Sequence, residues 1–327
     1  MKEVHKQTHL ADKKPFEWAF LHPRYWGIWV IMALVLPLIF LPLRWQFWLG
    51  KRLGLLIFRV AASRKQDTLT NLSLAFPNKT ADERLLLARQ VFINQGIGIF
   101  ESLCAWFRPE YFAQSFSISG LQHLVEAQSQ GKAVLLLGAH FTSLDLGGRL
   151  CTQFFAADCV YRPQNTPLLE WFIYNGRRHI FDEQIAHKDM KKLATRIKAA
   201  KIIWYSPDQD FGLEHGVMAP FFGTPAATIT AQRRLAKLGD KKNPPAVLMM
   251  SMIRTTPDVI PRGKKPHYQI RLSPALDNYP STDEYADAVR VNQLLEENIL
   301  QDVTQWMWFH RRFKSQADGT QYYTKKR

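Results

Sequence analysis

A stretch of nineteen residues without a charge, YWGIWVIMALVLPLIFLPL at positions 25–43, sets the first constraint on this chain. Arg24 and Arg44 bracket it. As a helix it would extend about 28 Å, close to the roughly 30 Å hydrocarbon core of a bilayer. A transmembrane or membrane-anchoring helix is therefore expected over 25–43, and Pro37 and Pro42 leave a kinked or re-entrant anchor open. Trp18, Trp26, Trp29, Trp45 and Trp48, five of the ten tryptophans, lie in the first fifty residues, as interfacial anchors do. No A-x-A-like cleavage site follows the apolar run, so the segment is expected to be retained rather than removed as a signal peptide.

The flanks of this run divide the chain. Residues 1–24 form a basic tail. Residues 44–65 alternate basic and apolar positions, a pattern suited to lying on a membrane surface. Arg44, Lys51, Arg52, Arg59, Arg64 and Lys65 all precede the next acidic residue, Asp67. That excess favours a cytoplasmic location for everything beyond the anchor. Residues 66–327 read as one globular domain.

Over the whole chain Lys and Arg number 43 against 28 Asp and Glu, a net charge of +15. Such an excess favours an anionic partner: a phosphate-bearing lipid surface, an acidic protein or nucleic acid. There is no P-loop, G-x-G-x-x-G, H-E-x-x-H or RNP-like aromatic motif, which argues against nucleotide, zinc-hydrolase and nucleic-acid readings. Cys104, Cys151 and Cys159 form no C-x-x-C pair, so neither a disulfide framework nor a structural metal is expected, and a reducing compartment fits.

Within the globular part, short apolar runs at 133–138, 158–161, 202–205, 246–253 and 268–272 read as strands. Helical patterns lie between most of them, at about 142–155, 167–180, 187–200 and 228–239, with a last long helix at about 282–305. The stretch 81–107 is helical by its periodicity, and Thr80 with Glu83 forms a capping-box pattern at its start. Strands alternating with helices predict an α/β layered domain behind the N-terminal anchor.

In such folds functional side chains gather beyond the carboxyl ends of strands. The stretch LLLGAHFTSLDLGGRL, residues 135–150, sets His140 two residues past a predicted strand and Asp145 five positions further on. On one helix that spacing is about 140° of rotation, so the two side chains would not share a face. They converge if His140 stays in the loop and Asp145 begins the next helix, with Thr142 or Ser143 as N-cap. Asp145 would then accept one imidazole N–H and leave the other nitrogen free to take a proton from a hydroxyl. By spacing alone the pair carries little weight, because the histidine and acid content of the chain predicts about one such match by chance. Ser143 lies in no G-x-S-x-G elbow and reads as a cap rather than a nucleophile.

Six ordered blocks give the spacing its context: NLSLAFP (71–77), HFTSLDLGGR (140–149), YRPQNTPLLEWFIYNGRR (161–178), SPDQDFG (206–212), APFFGTPAAT (219–228) and WFHRRFK (308–314). Together they resemble the late acyltransferases of lipid A biosynthesis, the lauroyl and myristoyl transferases of Gram-negative inner membranes. The resemblance runs from about residue 20 to 315. It places the chain in the wider glycerolipid acyltransferase group, which uses an H-x4-D/E dyad to acylate an alcohol. It implies a central mixed sheet flanked by helices behind an N-terminal membrane anchor, and a catalytic domain on the cytoplasmic face of the inner membrane. It also implies transfer of an acyl chain from acyl carrier protein to a hydroxyl on a hydroxyacyl chain of a lipid A precursor, with no cofactor and no metal. The family's dyad falls on His140 and Asp145, where the family often has Glu in second place. Its arginine in NGRR falls best on Arg177, and its acid in PDQD falls on Asp208, with Asp210 next.

A thioester is already activated and its thiol is a good leaving group, so a histidine base suffices without a covalent nucleophile. What remains is stabilisation of the oxyanion and of the lipid phosphates. Arg149, Arg177 and Arg178 are the candidates, since a guanidinium fork matches phosphate geometry. The lysines around 188–201 are either a solvated face or a dock for the acidic carrier protein, and HRRFK at 310–314 is either a phosphate cluster or a basic tail. The segment GVMAPFFGTPAAT is a candidate acyl-chain lining or an ordinary core loop. A different glycolipid or phospholipid acceptor, an acyl-CoA donor, and a non-catalytic protein bound to anionic membranes stay open on the residues alone.

Overall fold

The apolar run at 133–138 forms the strand around which the domain is built. The computed structural model describes residues 12–108, 116–239 and 243–323; most of the expected basic tail, residues 1–11, lies outside them. Strand β2 (Val134–Gly138) is buried at every position. Its alternate side chains enter two separate cores, Val134 and Leu136 on one face, Leu135 and Leu137 on the other. A strand apolar on both faces is what a central position in a helix-covered sheet requires.

Around it run β1 (Phe116–Ser119), β3 (Asp158–Tyr161), β4 (Gln184–Ala186), β5 (Ile202–Tyr205), β8 (Ala246–Arg254) and β9 (Tyr268–Leu272) in the order β1-β9-β8-β2-β5-β3-β4. All neighbours pair parallel except β8 with β9, so the sheet is mixed, as expected. The short strands β1 and β4 carry too little apolar sequence to stand out. The segment 216–229 forms a separate hairpin of β6 (Gly216–Phe221) and β7 (Thr224–Ile229). Its two-residue turn, Phe222–Gly223, has both φ values positive, as the turn type that matches strand twist demands. This hairpin joins the second core through Phe221 and Ala226.

Helices close both faces. On the first lie α2 (Leu43–Val60), α4 (Ala81–Phe107), α5 (Leu121–Ser129) and α6 (Leu144–Cys151); on the second lie α8 (Met190–Lys198), α9 (Ala231–Ala236) and α10 (Glu284–Leu300). Helix α3 (Ala62–Ala75) links α2 to α4, and α7 (Pro167–Arg177) stands beside α4. The capping box of α4 is present: Glu83 N–H donates to Thr80 Oγ1 at 3.2 Å, and Thr80 N–H to Glu83 Oε2 at 2.7 Å.

Residues 44–65, the expected interfacial segment, form mostly helix α2, which packs against α4 along one side. A Cβ on Gly54 would lie 2.1 Å from Phe92 O, and one on Gly96 would lie 2.1 Å from Gly50 O. Backbone meets backbone there, so only glycine fits. Trp45, Trp48, Leu56 and Val60 stay exposed on the far side of α2, so the amphipathic pattern faces protein on one side only. The apolar run before it breaks into α1 (Trp26–Val35) and a 3-10 turn over Leu36–Phe40, beginning where Pro37 interrupts the helix. By length and composition Pro23–Phe40 is apolar enough to cross a membrane.

Candidate active site

The pairing of β2 with β5 builds the centre of the site. Leu137 and Tyr205 are register partners, and three residues beyond each, in the loops that follow the two parallel strands, come His140 and Asp208. Two loops leaving adjacent strand ends at the same height bring these side chains together. His140 Nδ1 lies 2.6 Å from Asp208 Oδ1, and the His140 backbone N–H donates to Asp208 Oδ2 at 2.7 Å. The indole N–H of Trp306 donates to the same Oδ2 at 2.8 Å.

The far wall is the segment after α10. Thr142 N–H donates to Gln305 O at 2.8 Å and Met307 N–H to His140 O at 3.0 Å, stitching the histidine loop to residues 305–307. Gln209 extends its amide nitrogen to within 3.4 Å of His140 Nε2 and 3.3 Å of His310 Nε2.

Burial pushes the His140 pKa down, but the charge and hydrogen bond of Asp208 outweigh it and hold the imidazole above its ordinary 6.5. The Asp208 carboxyl is opposed by burial and favoured by His140, with the net effect of lowering it to about 2. Asp208 is thus a carboxylate at any working pH. His310 lacks such a partner, and burial together with the nearby His140 lowers it to about 4, keeping it neutral.

Asp145 is in the first turn of α6, as the spacing predicts, and Ser143 is its N-cap residue. The Ser143 hydroxyl makes no cap bond, however, and is buried without a partner among the described residues. The carboxylate against the imidazole is not that of Asp145. The first turn of α6 points Asp145 toward α4 and α7, where Arg177 Nε donates to Oδ1 at 3.0 Å and Nη2 to Oδ2 at 3.2 Å. Trp106 Nε1 donates to Oδ2 at 3.1 Å. The expected receipt of the imidazole N–H therefore passes to Asp208, and Asp145 holds Arg177 through a two-point fork. Both remain close enough to His140 to act on its charge, Arg177 disfavouring and Asp145 favouring the protonated ring.

The other two arginines are less central. Arg149 donates to the carbonyl of His179, tying the last turn of α6 to the chain beyond α7. Arg178 follows the end of α7 and its Nε is buried without a hydrogen bond to any of the described residues. Neither reaches the His140–Asp208 pair by a hydrogen bond. The basic run at 310–314 is largely internal: Arg312 is fully buried and donates to Ala227 O at 2.6 Å, and Arg311 pairs with Asp67 at 3.0 Å. Trp106 and Trp306 carried no functional signal in the sequence, because each reaches the site only through contacts between distant segments; Gln209 and His310 lie in the PDQD and HRRFK stretches, but nothing in those stretches marked them as neighbours of His140. No group of three or more metal-ligating side chains suited to an ion occurs among the described residues. All three cysteines are buried and free.

A small apolar cavity opens beneath α6. It is lined by Leu136, Leu144, Cys151, Phe155, Trp204 and Met250 among others, and Leu144 immediately precedes Asp145.

A polar centre beyond the strand ends of a mixed sheet, with an apolar cavity beside it, is the arrangement of an α/β enzyme. The model of the family described as bacterial lipid A biosynthesis acyltransferase matches residues 13–315, and the chain belongs to that family. It is an acyltransferase. It is 33% identical over 312 residues to the lipid A biosynthesis lauroyltransferase of Escherichia coli K12, covering 95% of this chain and 98% of that one. The palmitoleoyltransferase of the same organism is 32% identical over 309 residues, 93% of this chain and 96% of the relative. The myristoyltransferase is 26% identical over 308 residues, 93% and 92% respectively.

Proposed function

We propose that this acyltransferase moves a fatty acyl chain from the thioester of acyl carrier protein to a hydroxyl on a hydroxyacyl chain of a lipid A precursor, at the cytoplasmic face of the inner membrane. The observation that carries the mechanism is the His140–Asp208 contact. Asp208 accepts the Nδ1–H, which leaves Nε2 unprotonated, and an acceptor hydroxyl that takes the place of the Gln209 amide at 3.4 Å can pass its proton there. The hydroxyl oxygen attacks the thioester carbonyl carbon as its proton passes to Nε2. The tetrahedral oxyanion then collapses, expels the thiolate, and His140 returns the proton to that sulfur. Asp208 is the positioning residue, in the role first expected of Asp145.

Arg177 serves the negative charge. Two of its nitrogens are committed to Asp145, while Nη1 makes no hydrogen bond to the described residues and is available for the oxyanion or a lipid phosphate. Lys188, Lys191 and Lys198 are exposed on and around α8, a surface of the right sign for an acidic carrier.

The test is reconstitution with acyl carrier protein thioester and tetra-acylated precursor, read by mass spectrometry. Wild type should form the penta-acylated product, and His140→Ala should lower turnover by about 10²–10⁴ while the protein stays folded. Turnover only with acyl-CoA, or only on another lipid, would move the reading to that donor or acceptor. Full turnover by His140→Ala would refute the base.

A further inference from the structure

We infer that the N-terminal apolar segment does not cross the bilayer: it is embedded in one leaflet, as a monotopic anchor whose two ends are both clamped by the catalytic domain. This rests on the membrane-bound reading above and changes its topology. A spanning helix carries its ends to opposite sides of a hydrocarbon core about 30 Å thick. Here the ends of Pro23–Phe40 are held on neighbouring parts of one body.

The entering end is gripped by α7. Lys14 N–H donates to Asn175 Oδ1 at 3.0 Å, and its carbonyl accepts from Trp171 Nε1 at 3.1 Å and Asn175 Nδ2 at 3.2 Å. The Lys14 ammonium is 2.5 Å from Glu170 Oε1. Phe16, Phe20 and Trp29 then stack around the Trp171 ring at 5.5, 6.0 and 6.4 Å. The leaving end is gripped by α4 and α2. Ile39 O accepts from Arg108 at 2.6 Å and from Gln46 at 2.7 Å, and the Arg108 guanidinium lies 5.2 Å from the centre of the Phe40 ring. The two grips adjoin: Phe172, next to Trp171, meets Phe107, next to Arg108, at 5.5 Å. A chain that leaves from α7 and returns to the end of α4, two elements in direct contact within one domain, has both ends on one side of the membrane.

The surface between the grips has one lipid-facing side. Trp26, Val30, Ile31 and Leu34 of α1 are 57–67% exposed, while Ile28 and Trp29 pack toward α7 and Val35 and Leu36 toward the main core. A lone spanning helix is lipid-exposed all round; this one is two-faced. Arg44 and Arg52 lie over Trp45 and Trp48, at 5.7 and 5.4 Å, with these indoles half exposed. Cations paired with aromatics at the edge of an apolar face suit an anionic headgroup layer. Helix α7 carries the anchor at Trp171 and ends at Arg177, so one rigid element links the leaflet to the active site.

The test uses the full chain in inner-membrane vesicles of both orientations, with a membrane-impermeant maleimide. The native cysteines are buried, so single exposed cysteines report alone. Lys13→Cys precedes the first grip, and Lys198→Cys marks the catalytic domain. Equal labelling of the two positions, high in one vesicle orientation and absent in the other, is expected. Labelling of Lys13→Cys only in the orientation that protects Lys198→Cys would overturn the inference and restore a spanning helix. Recovery of the chain from the soluble fraction would overturn it too, through loss of the membrane itself. Acylation measured in detergent micelles reports separately on the enzymatic reading, so the failure of one is distinguishable from the failure of the other.

Discussion

Two carboxylates flank the active site and are held in nearly the same way, yet they face different bases. Asp208 and Asp145 are both buried, and each accepts an indole N–H, from Trp306 at 2.8 Å and from Trp106 at 3.1 Å. Asp208 faces an imidazole whose charge changes near neutral pH; Asp145 faces a guanidinium that is always charged. The first half can move a proton. The second half can only hold charge. Carboxylate burial is common to both, so it is the partner base that separates proton transfer from electrostatic support.

A third buried pair marks the limit of this comparison. Glu101 and Arg254 meet at 2.8 Å with side chains only 1% and 2% exposed, and Tyr268 OH also donates to Glu101 at 2.7 Å. Nothing there reaches solvent, so its effect should be purely structural. Glu101→Ala strands a buried guanidinium and should cost about 3–5 kcal/mol. Thermal denaturation should show a marked fall in Tm, while the molecules still folded keep the wild-type pH profile.

Within the site, Asp208→Asn should lower kcat by roughly 10²-fold. The sign of its pH effect follows from the geometry. Asp208 holds the His140 pKa above 6.5, and the reaction needs the neutral ring, so wild-type activity should fall as pH drops through a pKa above that value. Removing the carboxylate charge lowers that pKa, so the acid limb of the kcat/KM profile should move to lower pH. A limb that stays in place would detach Asp208 from the base.

Arg177→Lys keeps the charge but loses the fork to Asp145. It should cost about tenfold in kcat/KM, with the acid limb near its wild-type position. If Arg177→Lys moved the limb as far as Asp208→Asn does, the division of labour between the two halves would fail. The smallest effect is expected for Trp306→Phe, which removes one donor from Asp208 and leaves its charge. A loss of about 1 kcal/mol in stability and no displacement of the limb should follow, by denaturant titration and pH–rate measurement.

Legibility in the sequence followed the range of the interactions. The capping box of Thr80 and Glu83, the buried run of β2 and the helix-starting position of Asp145 are local, and each appears where the pattern of residues put it. His140 was legible as a loop histidine beyond a strand. Its partner was not, because five residues of spacing favoured Asp145, whereas the contact with Asp208 spans 68 positions. The family resemblance named Asp208 and Arg177 but paired His140 with Asp145, whereas the imidazole meets Asp208 and Asp145 meets Arg177. Likewise the basic stretch HRRFK looked like surface charge, although Arg312 is fully buried, because a short-range reading has no access to the carbonyl of Ala227 that receives it.

What the sequence by itself determined is the set of elements and the kind of chemistry. An apolar N-terminal run, an alternation of strands and helices, and a histidine among acids and arginines are all written in local pattern, since periodicity and charge act along the chain. The tertiary structure alone decided the pairings. The register of β2 against β5 raised Asp208 to the height of His140, the turn of α6 gave Asp145 to Arg177, and α7 and α4 closed over both ends of the anchor. Those choices depend on which distant segments share a core, and no spacing along the chain encodes them.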